Sequence, residues 1–325
     1  MSKADPAAPA IEVGLNAAIV SVDRGEPQVL TVPTSAGEPE GLPFGPFDPL
    51  AHRTFERGLR AWVGEQTGLS LGYVEQLYTF GDRGRHTMPG DDAPHVVSVG
   101  YLALARQVAA DAAELEASGS AWKSLYRYLP WEDWRSGRPP IVDEIMLPAL
   151  RAYRPVVSTT RIVSATAWTD RIAAAFGHDG GPWDEERVLD RYEMLYEAGL
   201  VEEAARDERS SLRQSPALGG PMRFDHRRIL ATALARLRAK LKYRPVIFEL
   251  LEPEFTLGEL QKVVEAIAGR HVHKQNFRRF VETTALVEPT GGVSAATGGR
   301  PAQLFRFRPE VARERPAPGI RLGRA

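Results

Sequence analysis

The chain has 325 residues, of which 43% are hydrophobic and 26% charged, as is ordinary for a globular protein of about two domains. It contains no cysteine, which excludes disulfides and zinc sites built on thiolates. No apolar run approaches the roughly 18 residues of a membrane helix, and the N-terminus lacks the apolar core of a signal peptide, so we expect a cytoplasmic protein.

The net charge of −1 hides an uneven distribution. From Pro221 to the end the chain has 20 Lys and Arg against 10 Asp and Glu, a net charge of +10, and the remainder has 21 against 32, a net charge of −11. A basic end on an acidic body is typical of a nucleic-acid-binding module attached to another domain.

The N-terminal part of the chain predicts an α/β sandwich with a mixed sheet. Two strands joined by a turn at Asp23-Arg24-Gly25 form a hairpin, and a loop rich in glycine and proline, a helix and two more strands follow. The predicted ranges are 11–22 and 28–32 for the hairpin, 36–49 for the loop, 50–67 for the helix, and 73–80 and 95–105 for the later strands.

The order of these elements, together with residues 42–70 (LPFGPFDPLAHRTFERGLRAWVGEQTGLS), resembles a Nudix domain with a damaged Nudix box. The glutamates of that box hold Mg²⁺ or Mn²⁺ against a pyrophosphate, because hard cations need several carboxylate oxygens. Anchored on Gly68, the box here keeps a carboxylate at Glu65 alone. Trp62, Gln66 and Arg53 stand where the other glutamates are expected. We therefore expect no catalytic residues, no metal and no hydrolase activity.

The same resemblance implies a ligand pocket around the glycine loop and the degenerate box. We expect Arg53 to meet a pyrophosphate, Phe44 or Trp62 to stack on a base, and Glu65 to line the pocket. One alternative stays open, in which acidic residues further along the chain replace the lost metal ligands. These are Glu132, Asp133 and Asp143.

Residues 137–222 predict a helical insertion or linker, with helices at 141–153, 161–176 and 183–205. Just before it, an aromatic cluster offers either core and lid packing or a stacking surface for adenine. Its members are Trp122, Tyr126, Tyr128, Trp131 and Trp134.

The next helix carries an apolar stripe, which is either ordinary core or a surface that joins the domains and pairs two protomers. The stripe consists of Ile229, Leu230, Ala233, Leu234, Leu237 and Leu241. We expect its basic residues to form a solvated face, with phosphate contact as the alternative. They are Arg236, Arg238, Lys240 and Lys242.

Residues 255–284 predict a helix-turn-helix. Thr256 and Glu259 form a capping box that begins the first helix, and Gly269 ends it. The second helix is predicted near 273–284, with Phe277, Phe280 and Val281 on its inner face and His271 and His273 in the turn before it. The residues expected to face the major groove are Lys274, Gln275, Arg278 and Arg279, with Asn276 as a phosphate or base contact.

A glycine-rich hairpin after the second helix predicts a wing. Its strands are expected at 285–287 and 304–308, and its turn is bracketed by Gly291, Gly292, Gly298 and Gly299. Arg300 would reach a minor groove from the tip, and Arg306 would add a DNA contact from the second strand. The alternative is a small α+β subdomain whose basic face is merely solvated.

Residues 73–85 (YVEQLYTFGDRGR) and the stretch from Phe224 to Arg308 are similar to the Nudix-related transcriptional regulators of NAD metabolism, the NrtR group. The long middle segment favours the NadQ-like alphaproteobacterial branch. The resemblance implies a homodimeric repressor whose degenerate Nudix domain, 1–136, senses NAD, ADP-ribose or a related adenine nucleotide. Its winged helix domain, 223–325, would bind operator DNA.

Two other classes of function stay open. The first is a Nudix-type nucleotide pyrophosphate (ADP-ribose) hydrolase with an atypical metal site. The second is a nucleotide-binding module that recruits a protein partner through its C-terminal domain. For the regulator, a ligand that releases DNA must favour a dimer arrangement whose two recognition helices no longer match the spacing of the half-sites.

Overall fold

The computed structural model describes residues 11–82, 95–153, 165–177, 182–207, 218–294 and 301–310. The strands are β1 (Ile11–Asp23), β2 (Glu26–Thr31), β3 (Phe44–Pro46), β4 (Val74–Phe80), β5 (His95–Leu104), β6 (Ala121–Ser124), β7 (Phe255–Thr256), β8 (Val287–Ser294) and β9 (Ala302–Phe307). The α-helices are α1 (Phe55–Thr67), α2 (Ala112–Ser118), α3 (Leu147–Ala152), α4 (Ala165–Phe176), α5 (Val188–Glu197), α6 (Glu202–Arg206), α7 (His226–Tyr243), α8 (Leu257–Ala268) and α9 (Lys274–Thr284). Within these ranges no helix is long and apolar enough to cross a bilayer.

The first six strands form one mixed sheet in the order β4-β5-β1-β2-β6, and β3 also pairs with β1. β1 is its central strand and runs parallel to β5, from the pair Ile11 and His95 to the pair Val20 and Leu104. It runs antiparallel to β2. The mixed sheet was predicted. The sequence did not predict β3 and β6, which have only three and four residues.

Side chains of β1 alternate between two cores because successive residues of a strand point to opposite faces of the sheet. Leu15 and Ile19 are fully buried in a cluster with Leu59 of α1. Val20 is fully buried in the cluster that contains Leu230 of α7. The result is the predicted α/β/α sandwich, with α1 on one face of the sheet and α7 on the other.

The apolar stripe of α7 is core, since its six residues are at most 2% exposed. The expectation of a solvated basic face on this helix is wrong for Arg238, which is 1% exposed. Its guanidinium is drawn inward by the buried carboxylate of Glu132. Lys240 pairs with Glu75 on the sheet at 3.0 Å.

The middle segment folds as four short helices, α3 to α6, in the described ranges 137–153, 165–177, 182–207 and 218–222. A π-helical turn, Val142–Met146, runs directly into α3. α5 packs along α7, and its Tyr192 and Leu195 are fully buried in the same core as the stripe. The helices predicted at 141–153 and 161–176 are therefore present, although residues 161–164 lie outside the described ranges. The single helix predicted at 183–205 is wrong, because residues 198–201 divide it into α5 and α6.

The C-terminal part is a helix-turn-helix followed by a wing, with a three-stranded antiparallel sheet in the order β7-β9-β8. The wing differs from the prediction in two details. Gly291 and Gly292 lie inside β8, where the pairing shifts register between Pro289 and Val293. Gly291 has φ of 83°, a conformation that glycine allows at such an irregularity. Ala285 is the left-handed cap of α9 and not the start of a strand.

Candidate nucleic-acid interface and ligand site

The start of α8 is fixed by both halves of the predicted capping box. The backbone N–H of Glu259 donates to Thr256 Oγ1 at 3.2 Å, and the backbone N–H of Thr256 donates to Glu259 Oε2 at 2.7 Å. Two of the N–H groups that a helix start leaves without partners are satisfied in this way. The helix ends at Gly269 in the left-handed conformation, as predicted.

The turn between α8 and α9 is organised by the carboxylate of Glu265. It accepts hydrogen bonds from the backbone N–H of Val272 at 3.0 Å and from Gln261 Nε2 at 2.8 Å, and it pairs with His271 Nδ1 at 2.8 Å. Burial alone would raise the pKa of Glu265, but these hydrogen bonds and the charge of His271 hold it below its ordinary value. An ionised Glu265 therefore sets the position at which α9 begins.

α9 separates its two faces cleanly. Phe277 and Val281 are buried, and Phe280 is half-buried, so the aromatic side of the helix packs on the domain as predicted. The other side carries the five polar residues expected to contact DNA, and all of them are exposed: Lys274, Gln275, Asn276, Arg278 and Arg279. Arg279 Nη2 donates to Asn276 Oδ1 at 3.2 Å, which orients both side chains on this surface.

The wing is anchored by aromatic packing and carries an ion pair on its surface. Phe307 stacks on Phe248, with ring centroids 4.4 Å apart. Arg306 is exposed, as a DNA contact would be, but its Nε lies 2.7 Å from Glu288 Oε1 on the neighbouring strand. Val293 is 66% exposed. Arg300, predicted at the tip, lies outside the described residues.

Two residues that the resemblance to a Nudix box places where glutamates are expected, Gln66 and Trp62, fasten α1 to β3. Gln66 Nε2 donates to the carbonyl oxygen of Phe44 at 2.6 Å, and its Oε1 accepts from the backbone N–H of Phe44 at 3.0 Å. Trp62 Nε1 donates to the carbonyl oxygen of Pro46 at 2.8 Å. The indole of Trp62 lies so close to Gly45 that it leaves no room for a Cβ there.

The four predicted ligand contacts fall into two groups. Phe44 lies on β3 and Trp62 packs against the same strand at Gly45 and Pro46, whereas Arg53 and Glu65 are exposed at opposite ends of α1. No direct contact joins Arg53 or Glu65 to the other two among the described hydrogen bonds and ring contacts.

Phe44 also sits in a cluster with the segment before α7, which sequence reasoning missed. Its ring meets the ring of His226 edge-on, with centroids 5.1 Å apart. The guanidinium of Arg223 lies 5.1 Å from the Phe44 ring and 4.4 Å from the Phe224 ring, and it is 3.4 Å from Glu38. No local pattern could have found this cluster, because about 180 residues separate Phe44 from its partners.

The acidic residues considered as substitute metal ligands are engaged in ion pairs, so that alternative is wrong. Glu132 is held by Arg191 at 2.6 Å, Asp133 by Arg135 at 2.7 Å, and Asp143 by Arg138 at 2.6 Å. In the ranges that the structure describes, no three His, Asp or Glu side chains come together in a way that could hold a metal ion.

Comparison with known proteins relates the winged helix at the C-terminal end of the chain to one family of DNA-binding domains. Residues 247–307 match the family model of the NrtR DNA-binding winged helix domain. A segment of 91 residues is 43% identical to the ADPR responsive transcriptional repressor NtrR of Acinetobacter baylyi, and it covers 28% of this chain and 36% of that repressor. The match thus spans about a third of the length of this relative.

The similarity in fold extends much further along the chain. The crystal structure of Shewanella oneidensis NrtR complexed with a 27mer DNA is similar over 93% of this chain and 95% of that one, at a TM-score of 0.56 and 22% identity. A MutT/nudix family protein from Enterococcus faecalis is similar over 94% and 90% of the two chains, at a TM-score of 0.51 and 15% identity.

These findings confirm the predicted fold, a Nudix-like domain followed by a winged helix domain, and the predicted resemblance to the NrtR group. The narrower assignment to the NadQ-like branch stays a prediction.

Proposed function

We propose that this protein is a transcriptional repressor that binds operator DNA through α9 and the wing and responds to ADP-ribose through its Nudix-like domain. The observation that carries the proposal is the exposed basic face of α9 within a winged helix domain of the NrtR type. The genes under its control would be those of NAD biosynthesis and metabolism, as the resemblance implies.

The chemistry of α9 supports reading of bases and not only attraction to phosphate. Gln275 and Arg278 are exposed on one face, and such side chains pair with adenine and guanine through two hydrogen bonds, each worth about 1–3 kcal/mol of discrimination. Lys274 and the wing residue Arg306 would add phosphate contacts, which position the protein without reading sequence.

Sensing of ADP-ribose is supported by the Acinetobacter relative, which is an ADPR responsive transcriptional repressor. The chain also offers groups suited to a nucleotide diphosphate near the glycine loop. Arg53 is exposed at the entry to α1, and Arg223 lies over Phe44. We infer that these cations meet the diphosphate and that Phe44 or Trp62 packs against the base, with Glu65 at the edge of the pocket. NAD or another adenine nucleotide is the alternative effector.

Sensing without hydrolysis is favoured by what the box residues do. Gln66 and Trp62 are committed to the backbone of β3, and only one of the positions at which the box is expected to carry a carboxylate has one, Glu65. This set of donors does not fit Mg²⁺, which needs several oxygen ligands in octahedral geometry. We therefore favour a regulator over the alternative, an ADP-ribose hydrolase.

A homodimer in the cytoplasm fits this proposal, because a helix-turn-helix pair spans successive major grooves of the DNA. We propose three segments: a ligand-sensing domain 1–136, the insertion 137–222 and a DNA-binding part 223–325. α7 then lies in the third segment by sequence while it packs on the sheet of the first.

A DNA-binding titration tests the proposal. Promoter fragments of NAD biosynthesis genes would be titrated with the full chain over competitor DNA, with and without ADP-ribose and with NAD in a parallel series. We expect specific binding that ADP-ribose weakens. Binding no tighter than to the competitor would overturn the regulator, and release of AMP from ADP-ribose with Mg²⁺ would support the hydrolase.

The matched variants are Arg278→Ala on α9 and Lys262→Ala, which removes an exposed positive charge from α8. Arg278→Ala should cost about 1–3 kcal/mol and relax specificity at one base position. Any loss of affinity caused by Lys262→Ala should be the same for all DNA sequences. Equal and sequence-independent losses in both variants would contradict base reading by Arg278.

A further inference from the structure

Three buried side chains from three different parts of the chain meet at one point. Glu132 lies within the aromatic cluster, between Trp131 and Trp134, Arg191 lies on α5 of the insertion, and Arg238 lies on α7. Arg191 Nε is 2.6 Å from Glu132 Oε1, and Arg238 Nη1 is 2.5 Å from Glu132 Oε2. All three side chains are at most 1% exposed. Burial alone would raise the pKa of Glu132, but the two guanidinium groups outweigh it and hold the pKa low.

This cluster is fastened directly to the end of α8, the first helix of the helix-turn-helix. Arg238 Nε donates to the carbonyl oxygen of Ile267 at 2.9 Å, and the hydroxyl of Tyr126 donates to that of Ala266 at 2.7 Å. The backbone N–H of Trp134 donates to the carbonyl oxygen of Gly269 at 2.6 Å. The last carbonyls of a helix have no partner within it, and here the body of the protein supplies the partners.

The insertion reaches the same place from its own side. The guanidinium of Arg191 stacks over the ring of Trp183 at 3.8 Å, and Trp183 lies 4.3 Å from Trp134 between ring centroids. The backbone carbonyl of Glu185 accepts from Arg238 Nη1 at 3.0 Å. Its carboxylate is 3.7 Å from Arg270, in the turn that leads to α9. The insertion therefore contacts both the charged cluster and the helix-turn-helix.

The contact between this charged cluster and the end of α8 resists partial opening, because its charges are buried. Separating one partner leaves a charge in a medium of low polarity, which costs several kcal/mol, whereas in the intact cluster the carboxylate is paired with both guanidinium groups and all three side chains are hydrogen-bonded. A displacement of the Nudix-like domain is therefore passed to α8 and not absorbed between them. By contrast, the exposed ion pairs elsewhere can break at little cost.

We propose that the insertion is a coupling element that transmits effector binding in the Nudix-like domain to the position of the helix-turn-helix. It does so through its Arg191, which joins Glu132 and Arg238 in the buried cluster. The inference deepens the proposed function and rests on it. These three residues contact neither DNA nor ligand, so they act as positioning residues. Their loss should reduce the effect of the ligand on DNA binding without abolishing DNA binding itself.

The test measures operator affinity with and without saturating ADP-ribose, and the readout is the ratio of the two dissociation constants. For the wild type we expect a ratio within the usual range of about 5- to 150-fold. Arg238→Met should keep ligand-free operator affinity within about threefold and bring the ratio below about threefold. Arg236→Met, two residues away on α7 and outside the cluster, is the control and should keep the wild-type ratio.

Two further variants allow the test to be made if Arg238→Met does not fold. Arg191→Met loosens the cluster from the insertion side, and Tyr126→Phe removes one hydroxyl that bonds to Ala266. Cooperative unfolding shows that a variant is folded, and in each such variant we expect a smaller ratio of the two dissociation constants. For Tyr126→Phe this ratio should fall at least twofold. A wild-type ratio in folded Arg238→Met, or in Tyr126→Phe if the arginine variants do not fold, would overturn the proposal. Absence of specific DNA binding by the wild type would instead overturn the proposed function.

Discussion

Gly269 lies against the backbone carbonyl of Glu132 so closely that a Cβ on Gly269 would have no room. Its φ is 70°, the left-handed conformation that ends α8. Arg238 Nη2 and the hydroxyl of Tyr126 close the same space at 2.6 and 2.9 Å from the site of that Cβ. Because two backbones and two side chains converge here, the junction between α8 and the body of the protein depends on a residue without a side chain.

Gly269→Ala is therefore expected to destabilise the protein by more than backbone conformation alone explains. We expect a loss of about 2–5 kcal/mol, since the left-handed conformation costs about 1–2 kcal/mol and overpacking of a tight site adds about 1–3 kcal/mol. Urea denaturation of the full chain measures the difference.

Gly291→Ala is the matched control for that experiment. Gly291 has φ of 83°, and nothing lies within 4 Å of the position of its Cβ. Gly291→Ala should therefore lower the free energy of unfolding only by the cost of the left-handed conformation, about 1–2 kcal/mol. Equal losses in the two variants would show that the contact between Gly269 and Glu132 adds nothing to stability.

The carboxylate of Glu265 should make the stability of the helix-turn-helix depend on pH. Its pKa in the folded state is lowered, because the hydrogen bonds that it accepts outweigh its burial. A lowered pKa contributes stability that is present above the unfolded pKa of about 4.3 and is lost as pH falls through the folded pKa. Glu265→Gln should then cost about 1.5–3 kcal/mol at pH 7.

The difference in free energy of unfolding between wild type and Glu265→Gln should shrink as pH falls below about 4.3. Denaturation at pH 7, 5 and 3 measures it. Glu282→Gln on the exposed side of α9 is the control for removing a carboxylate from this domain. A difference that stays constant from pH 7 to pH 3 would contradict an ionised Glu265 at the turn.

Restoring the carboxylate of the Nudix box at one position should damage the fold. In Gln66→Glu, an oxygen replaces the Nε2 that now donates to the carbonyl of Phe44, so two acceptors would face each other at 2.6 Å. Leaving this carbonyl without its donor should cost about 1–3 kcal/mol. Thermal or urea unfolding measures the loss.

The control for this change is Gln303→Glu, which makes the same substitution at an exposed position of β9. It should stay within about 0.5 kcal/mol of the wild type. Similar stability of both variants would mean that the bonds between Gln66 and Phe44 do not hold β3 in place.

What could be predicted from sequence was local. The capping box at Thr256 and Glu259, the end of α8 at Gly269 and the two faces of α9 depend on neighbours within one or two helical turns, and the structure has them where the pattern placed them. The alternation in β1 likewise follows from the period of a strand. Propensity and periodicity carry such information because they act over a few residues.

What could not be predicted depends on distant partners. A basic residue on an amphipathic helix is usually solvated, so Arg238 was expected in water, but its partner Glu132 lies 106 residues earlier in the chain. The same limit applies to Gln66, whose role is set by β3, a strand too short to have a period of its own. Burial of charge is decided by tertiary contacts, which a local pattern does not contain.

The wing should bind DNA more tightly when Glu288 loses its charge. Glu288 faces Arg306 at 2.6 Å and Arg308 at 3.8 Å, so it competes with phosphate for both guanidinium groups. Arg306 is exposed and Arg308 is half-buried, and an exposed pair such as that of Arg306 contributes about 0.2–1 kcal/mol. We therefore expect Glu288→Gln to tighten binding to any DNA by about two- to fivefold at low salt, because removing this carboxylate frees the cations for phosphate.

The dependence of affinity on salt distinguishes this mechanism from a change in shape. If Arg306 is released onto a phosphate, the slope of log affinity against log salt should become steeper, while Arg306→Ala should make it shallower, and the two changes together should amount to about one. Glu254→Gln, an exposed carboxylate before β7, is the control. An unchanged slope in both Glu288→Gln and Arg306→Ala would remove Arg306 from the DNA-binding residues and leave the recognition to α9.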